Sequence, residues 1–345
     1  MSELQYKEII VSLFIAKIEK DFGADGITQA LFLSDKIREL YKFIYVGDYD
    51  KVIAVTPIDI TEKLHEVIGI TDCQEIGNLE HVQALNHKEI FIEFSKSGKI
   101  YISNNVTADL TVIKDKGIIY ERASDYEYFH TKRDKDLLTP IRGIESYFSS
   151  KTFSDLNEAL EFYKVNFAQN TSCKILQNIW IDDSKIKVIR GSSEAIMRDS
   201  LCQFLRMHLN DVREVMPEQN VNEKNPVDIK VFWNFSKHIA LIEIKWIGKS
   251  ESNVVYGAAR ANSGAKQLSD YIDEYKIQEP TNISKGYLVV FDARRRKPDL
   301  PITELTTEDV DFFSDKEIDY DPDYTLSRTD FEKPKRFFLK AKLPN

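Results

Sequence analysis

Asn225-Pro226-Val227-Asp228-Ile229-Lys230-Val231-Phe232-Trp233-Asn234, then the polar turn Phe235-Ser236-Lys237, then His238-Ile239-Ala240-Leu241-Ile242-Glu243-Ile244-Lys245-Trp246 is the stretch that decides how this chain is read. Both runs are short, bounded by polar residues and rich in Ile, Val, Phe and Trp, which predicts two strands. In the second run both sides begin apolar, Ile239 and Leu241 on one and Ala240, Ile242, Ile244 and Trp246 on the other, the pattern of a strand covered on two faces. Glu243 and Lys245 then interrupt one face, two residues apart and hence side by side. Burying charge is costly unless it is paired or coordinated to metal.

An isolated Glu-x-Lys emerging from a sheet edge asks for nothing beyond pairing with itself or with water. A functional reading needs a second acid on the neighbouring strand, on the same face and near the same end. Asp228 supplies it, because two strands joined by a short turn bring the start of the first opposite the end of the second. Converging carboxylates suit Mg²⁺, with Mn²⁺ as a substitute, since a hard cation takes oxygen ligands and keeps several waters. Lys245 would then lie beside a metal-bound water and a substrate phosphate.

The flanks extend the pattern. Gly191-Ser192-Ser193-Glu194 opens a run of helical spacing (Ile196, Met197, Leu201, Phe204, Leu205, Leu209), with Ser192 or Ser193 as N-cap and Glu194 in the first turn. Val212 to Met216 reads as a strand. A helix is predicted from about Val254 to Lys276, and Gly286 to Phe291 reads as a buried strand. The order is helix, three strands, helix, strand.

Over about residues 190–295 the chain resembles the PD-(D/E)xK nuclease superfamily, whose core has this order. Asp228 matches the family's metal-binding Asp, and Glu243-Ile244-Lys245 its (D/E)-x-K. Glu194 matches the acid on the preceding helix, with Asp199 as a substitute for it. Gln267-Leu268-Ser269-Asp270-Tyr271 is similar to the Gln-x-x-x-Tyr element of the RecB-type branch. One departure is that Val227 separates Pro226 from Asp228, where the name-giving motif has Pro-Asp adjacent. The resemblance implies a three-layer αβα restriction-endonuclease-like core on a central mixed sheet. It implies metal ligation by Asp228, Glu243, the Ile244 carbonyl and Glu194. It also implies that Lys245 orients the attacking water, Gln267 positions water or backbone, and Tyr271 packs beneath.

Composition bounds the rest. At 345 residues, 42% hydrophobic and 30% charged, the chain has the make-up of an ordinary globular protein with room for two domains. The apolar run Ile9 to Ala16 is too short to span a bilayer and lacks the layout of a secretory signal. Three scattered cysteines fit a reducing compartment, and neither they nor the six histidines have zinc spacing. The expectation is a cytoplasmic protein with no membrane partner. A net charge of −9 argues against a surface that coats nucleic acid, but not against a local basic groove. Lys249, Arg260, Lys266 and the run Arg294-Arg295-Arg296-Lys297 lie near the candidate site in sequence and are the expected phosphate contacts.

Residues 1–170 read as an α+β domain that reads DNA, senses a small molecule or binds a protein partner or a second copy. Helices are predicted over Tyr6 to Phe22 and Thr28 to Tyr41. Two half-exposed hairpins follow, Glu89–Phe94 with Lys99–Ser103 and Leu110–Ile113 with Gly117–Tyr120. Tyr120, Tyr126, Tyr128 and Phe129 are candidates for stacking on bases. A helix from about Asp155 to Phe167 closes this region. The preferred boundary is near residue 170, with 125–135 as the other candidate; residues 171–300 would be the nuclease-like domain and 301–345 an extension. The function expected is a Mg²⁺-dependent nuclease, DNA preferred, of the kind used in restriction or defence. The alternatives are a catalytically silent nucleic-acid-binding or assembly module, and an effector nuclease gated by its N-terminal domain.

Overall fold

The computed structural model describes residues 3–343 apart from 60, 86, 124–125, 134, 139–145, 182, 188–192 and 221–225. The chain is of mixed α/β class and divides into two compact units, Met1–Lys151 and Thr152–Asn345, each with its own mixed sheet.

In the first unit α1 (Glu3–Phe43) is broken at Gly23, whose φ of 69° belongs to the left-handed region that glycine tolerates. The two helices predicted there are the arms of this element. The rest comprises β1 (Lys51–Pro57), the short α2 (Leu64–Val67), β2 (Gln74–Ile76), β3 (Glu89–Phe94), β4 (Ile100–Ser103), β5 (Gly117–Ala123), β6 (Tyr126–His130) and β7 (Lys135–Leu138). The strand order is β2-β4-β3-β1-β5-β6-β7, parallel where β1 meets β3. The β3–β4 hairpin forms as predicted, pairing Phe94 with Ile100. The second predicted hairpin does not form. Leu110–Ile113 is a 3₁₀ turn begun by the Asp109 carboxylate, which accepts the Thr111 N–H at 2.9 Å, and β5 pairs with β1 and β6 instead.

The central strands are not half-exposed either. Val52, Ala54, Ile90, Ile92 and Tyr120 pack with α1, while Ile53, Val55, Phe91 and Ile119 pack with Leu64 and Val106 on the other face. Glu93, which carried the alternation of the first hairpin, and Glu127 of β6 are both buried with partners. Glu93 accepts the Leu64 and His65 N–H groups (3.1 and 2.7 Å), and Glu127 accepts the Tyr120 hydroxyl at 2.6 Å and the Tyr147 N–H at 2.8 Å. Tyr120 and Phe129 are core residues, which removes them as platforms for bases.

The second unit begins with α3 (Phe153–Tyr163). It belongs here because Phe153 packs on Trp233 and His238, and Tyr163 on Phe291 and Phe337. The boundary therefore falls at Lys151/Thr152 and not near 170. The other candidate falls within the first sheet, on β6 and β7, with Asp125 outside the described residues.

The unit continues with α4 (Ser193–His208), β8 (Val212–Asn220), β9 (Pro226–Trp233), β10 (His238–Lys249), β11 (Val255–Tyr256), α5 (Ala258–Gln278), β12 (Ile283–Ala293), α6 (Thr307–Asp311) and β13 (Lys335–Phe338). Ser192, one of the two expected caps, lies outside the described residues. α5 starts at Ala258 because Val255 and Tyr256 pair back onto Lys249 and Gly248. The strand order is β13-β12-β10-β9-β8; β8, β9 and β10 run antiparallel, and β10, β12 and β13 parallel. Residues 301–345 are thus no extension, since β13 is an edge strand of the sheet and its Phe337 is fully buried against Phe291. Ala261, Ala265, Leu268, Tyr271 and Ile272 of α5 cover one face, meeting Ile239, Leu241, Ile247, Leu288 and Val290. Phe291 points to the opposite face, where Tyr163 of α3 lies and where Cys202 and Arg206 of α4 reach the Val215 carbonyl. Among the described residues no helix is long and apolar enough to cross a membrane.

Candidate active site

β9 and β10 stay paired up to Ile229 opposite Ile242. One step further the register would set Asp228 opposite Glu243, but there the strands part. β9 remains with β8 through Val227 and Pro226, while β10 remains with β12 through Glu243, Ile244 and Lys245. The Ile244 N–H is taken by the Asp228 carboxylate, Oδ2 accepting at 2.8 Å in place of a strand. Residues opposite each other in an antiparallel pair share a face, and so do residues two apart. Asp228, Glu243 and Lys245 are therefore gathered on the face covered by α5, at the mouth of the gap between β9 and β10.

Glu243 is 1% exposed. Lys245 donates to its Oε1, while its Oε2 is buried with no hydrogen-bond partner. Asp228 commits Oδ2 to Ile244, and its Oδ1 has the Arg198 guanidinium at 4.0 Å, beyond hydrogen-bond range. Each carboxylate thus ties one oxygen to the fold and keeps the other uncommitted. Burial pushes the Asp228 carboxyl up to about 6, with the Ile244 hydrogen bond and Lys245 pulling back and Glu194 adding to the rise. Burial and then repulsion from Asp228 push Glu243 up to about 8, against the pull of Lys245. Burial alone would lower Lys245, but Glu243 outweighs it, helped by Glu194 and Asp228, and holds the ammonium above the ordinary lysine range. Three carboxylates and one ammonium therefore act on one another.

Glu194 stands in the first turn of α4 as expected, yet its carboxylate receives the Arg260 guanidinium at 2.7 Å. Arg260 is in turn stacked over Tyr256 (4.5 Å) and Trp246 (5.6 Å). Asp199, the substitute for Glu194, is exposed and lies 3.5 Å from Arg198. Gln267 donates to the Tyr271 hydroxyl, which donates to the Pro226 carbonyl at 3.2 Å. The expected water-positioning side chain is thereby a tether on the first residue of β9, two before Asp228.

The basic run is built differently from the expectation. Asp292, fully buried near the end of β12, takes Arg294 through two hydrogen bonds (3.0 and 2.7 Å) and Arg336 through a third (2.7 Å). Arg295 is 5% exposed and donates to the Leu339 and Arg294 carbonyls; its burial lowers it to about 10. Arg296 and Lys297 reach the surface, but both pair with Asp309 (3.1 and 3.3 Å). Lys249 is buried against Asp299, and Lys266 is exposed on α5. Arg294 and Arg295 are internal ties, so the run does not present four cations to a phosphate.

Two residues that the sequence reading passed over line the site. Gly264 of α5 faces the stem of Lys245, where a Cβ would meet the lysine Cγ at 2.6 Å. Its signal was a glycine inside an otherwise regular helix, where it costs stability unless a close approach requires it. Arg198, one turn after Glu194 on α4, carried no signal beyond that spacing.

Among the described residues no three Asp, Glu, His or Cys side chains gather into a ready metal-binding group. Comparison of the chain with profiles of known families, with curated proteins and with solved structures yields no match.

Proposed function

We propose that the second unit is a metal-dependent nuclease that hydrolyses phosphodiester bonds of nucleic acid, DNA by preference, on a restriction-endonuclease-like core. The observation that carries this reading is the Glu243 carboxylate. It is buried, has one oxygen without a partner, stands level with Asp228 and takes a hydrogen bond from Lys245 on its other oxygen. Such a constellation is costly to fold and has no packing value of its own. The order of Asp228, Glu243-Ile244-Lys245 and Gln267-to-Tyr271 along the chain supports it through the family resemblance.

The residues present fit Mg²⁺ or Mn²⁺ as two carboxylates, each with an uncommitted oxygen, and a backbone carbonyl. This suits a cation that keeps several of its waters. Asp228, Glu243 and the Ile244 carbonyl would hold the ion, with Glu194 contributing charge from α4. When bound, the ion would lower the pKa of a coordinated water and neutralise phosphate charge. Lys245 orients the attacking water and opposes the charge that grows on the phosphate oxygens. Gln267 and Tyr271 hold the start of β9, and through it Asp228, in position.

The test is incubation of the purified protein with plasmid, single-stranded DNA and RNA, each with Mg²⁺, Mn²⁺ or EDTA. Cleavage that needs the metal and disappears in Glu243→Ala is the expected result. Metal-dependent binding of nucleic acid with every substrate left intact would favour the silent binding module. Neither binding nor cleavage under any condition overturns the reading.

A further inference from the structure

We propose that Arg198 is a substrate-anchoring residue, which passes its guanidinium from Glu218 to a phosphate of the bound nucleic-acid strand, beside the phosphate faced by Lys245. This rests on the nuclease reading above and adds a contact that no motif of the chain announces.

Arg198 is placed with some care and bonded with little. Its side chain is 12% exposed, and α4 aims it at the point where β8 and β9 carry Glu218 and Asp228. The ladder pairs Pro217 with Ile229 and Gln219 with Val227, which leaves Glu218 level with Asp228 between them. Arg198 Nη1 donates to Glu218 and stops 4.0 Å from Asp228 Oδ1, too far for a hydrogen bond. Its Nε is buried without a hydrogen-bond partner and lies 3.5 Å from the exposed Asp199.

Glu218 is a poor reason for this arrangement. Its side chain is 59% exposed, so the pair is screened by water and contributes little. Its backbone has a φ of 49°, a left-handed conformation that a glutamate adopts at a cost. The fold thus desolvates a guanidinium beside the candidate metal ligand and leaves it on a carboxylate that is easily displaced. A divalent cation held by Asp228 would stand next to Arg198, and two cations at such spacing are held together by an anion that touches both. A phosphodiester is that anion, and the planar fork of arginine is suited to its oxygens.

The exchange gives the two partners effects of opposite sign. Binding of fluorescein-labelled single- and double-stranded DNA to the full chain is followed by anisotropy with Ca²⁺ as the oxygen-ligated ion and again in EDTA, at low and at moderate salt. Arg198→Ala is expected to weaken binding by about tenfold and to flatten the salt dependence by roughly one charge, with Arg198→Lys in between. Glu218→Ala, a surface change that leaves the fold alone, is expected to strengthen binding several-fold because it frees Arg198. If the wild type binds and Glu218→Ala weakens binding or leaves it unchanged, Arg198 is a structural ion pair and the proposal is overturned. If the wild type neither binds nor cleaves nucleic acid with any metal, it is the nuclease reading that has failed.

Discussion

Gly264 of α5 faces Lys245 of β10 so closely that a methyl group at residue 264 would stand 2.6 Å from the Lys245 Cγ and 3.1 Å from the Leu288 Cδ1. The helix thereby gives up about 1 kcal/mol relative to alanine and leaves a slot for the lysine stem between helix and sheet. Gly264→Ala should stay folded, because the overpacking cost of about 1–3 kcal/mol is partly offset by the gain in helix propensity. Cleavage should fall by at least about tenfold, since a displacement on the order of 1 Å at a reacting group is enough for such a loss. A thermal melt beside a rate measurement separates the two effects. Unchanged cleavage in Gly264→Ala would show that the position of Lys245 is unimportant.

Replacement of Glu243 or Lys245 by alanine should remove at least on the order of 10²-fold of the cleavage rate, as for other preorganised electrostatic groups. The fold should survive both changes. Lys245→Ala leaves Glu243 buried without its ammonium, but a carboxyl already raised to about 8 takes up a proton instead of holding an unpaired charge. Circular dichroism at pH 7 should therefore match the wild type. A Glu243→Ala protein free of contaminants that still cleaves at the wild-type rate would end the assignment.

The second sheet was legible because its strands carry their pattern locally. β10 is apolar on both sides, and a carboxylate and an ammonium on such a strand announce themselves. Asp228 could be paired with Glu243 because a short turn fixes the register. The peeling of β9 from β10 at that level could not be read, since it depends on β9 keeping its pairing with β8 while β10 keeps β12. The Arg294-to-Lys297 run misled for a related reason. A charge run in sequence does not show that Asp292 is buried at the end of the preceding strand and draws two guanidinium groups inward. In the first unit the alternation that suggested wet strand faces came from residues such as Glu93, which is buried against the Leu64 and His65 backbone amides of a distant segment. β13 was missed because Lys335–Phe338 is short and becomes a strand through pairing with β12 alone.

The raised carboxyl groups predict how stability changes with pH in the absence of metal. Asp228 and Glu243 lose their protons near 3.8 and 4.5 when unperturbed, but hold them to about 6 and about 8 in the fold. Between those values the folded chain binds more protons than the unfolded one, so this contribution is complete below the unperturbed values and is lost progressively as pH rises from there through the folded values of about 6 and about 8. In EDTA the melting temperature of wild type relative to Glu243→Gln should therefore fall between pH 5 and pH 8.5, with the variant higher by at least ~2 °C at the upper end. Added Mn²⁺ should reverse the order at pH 8.5, because an ion held by Asp228 and Glu243 stabilises the wild type by mass action. A difference that stays flat with pH would mean that the two carboxylates ionise as freely as on a surface.

Arg295 and Arg296 are neighbours in sequence with opposite expected roles. Arg295→Ala removes the donor to the Leu339 carbonyl and leaves buried acceptors without a partner, which costs about 1–3 kcal/mol. It should lower the melting temperature and leave the salt dependence of DNA binding alone. Arg296→Ala breaks a half-exposed pair with Asp309 and should change stability by no more than about 0.5 kcal/mol. If nucleic acid follows this edge of the sheet, Arg296 and Lys297 can leave Asp309 for phosphate, and a double alanine variant should weaken binding and flatten its salt slope by roughly two charges. Normal binding by that variant at both low and high salt would remove the whole run from the nucleic-acid path. Attraction would then rest on Lys245, Arg198 and the exposed Lys266.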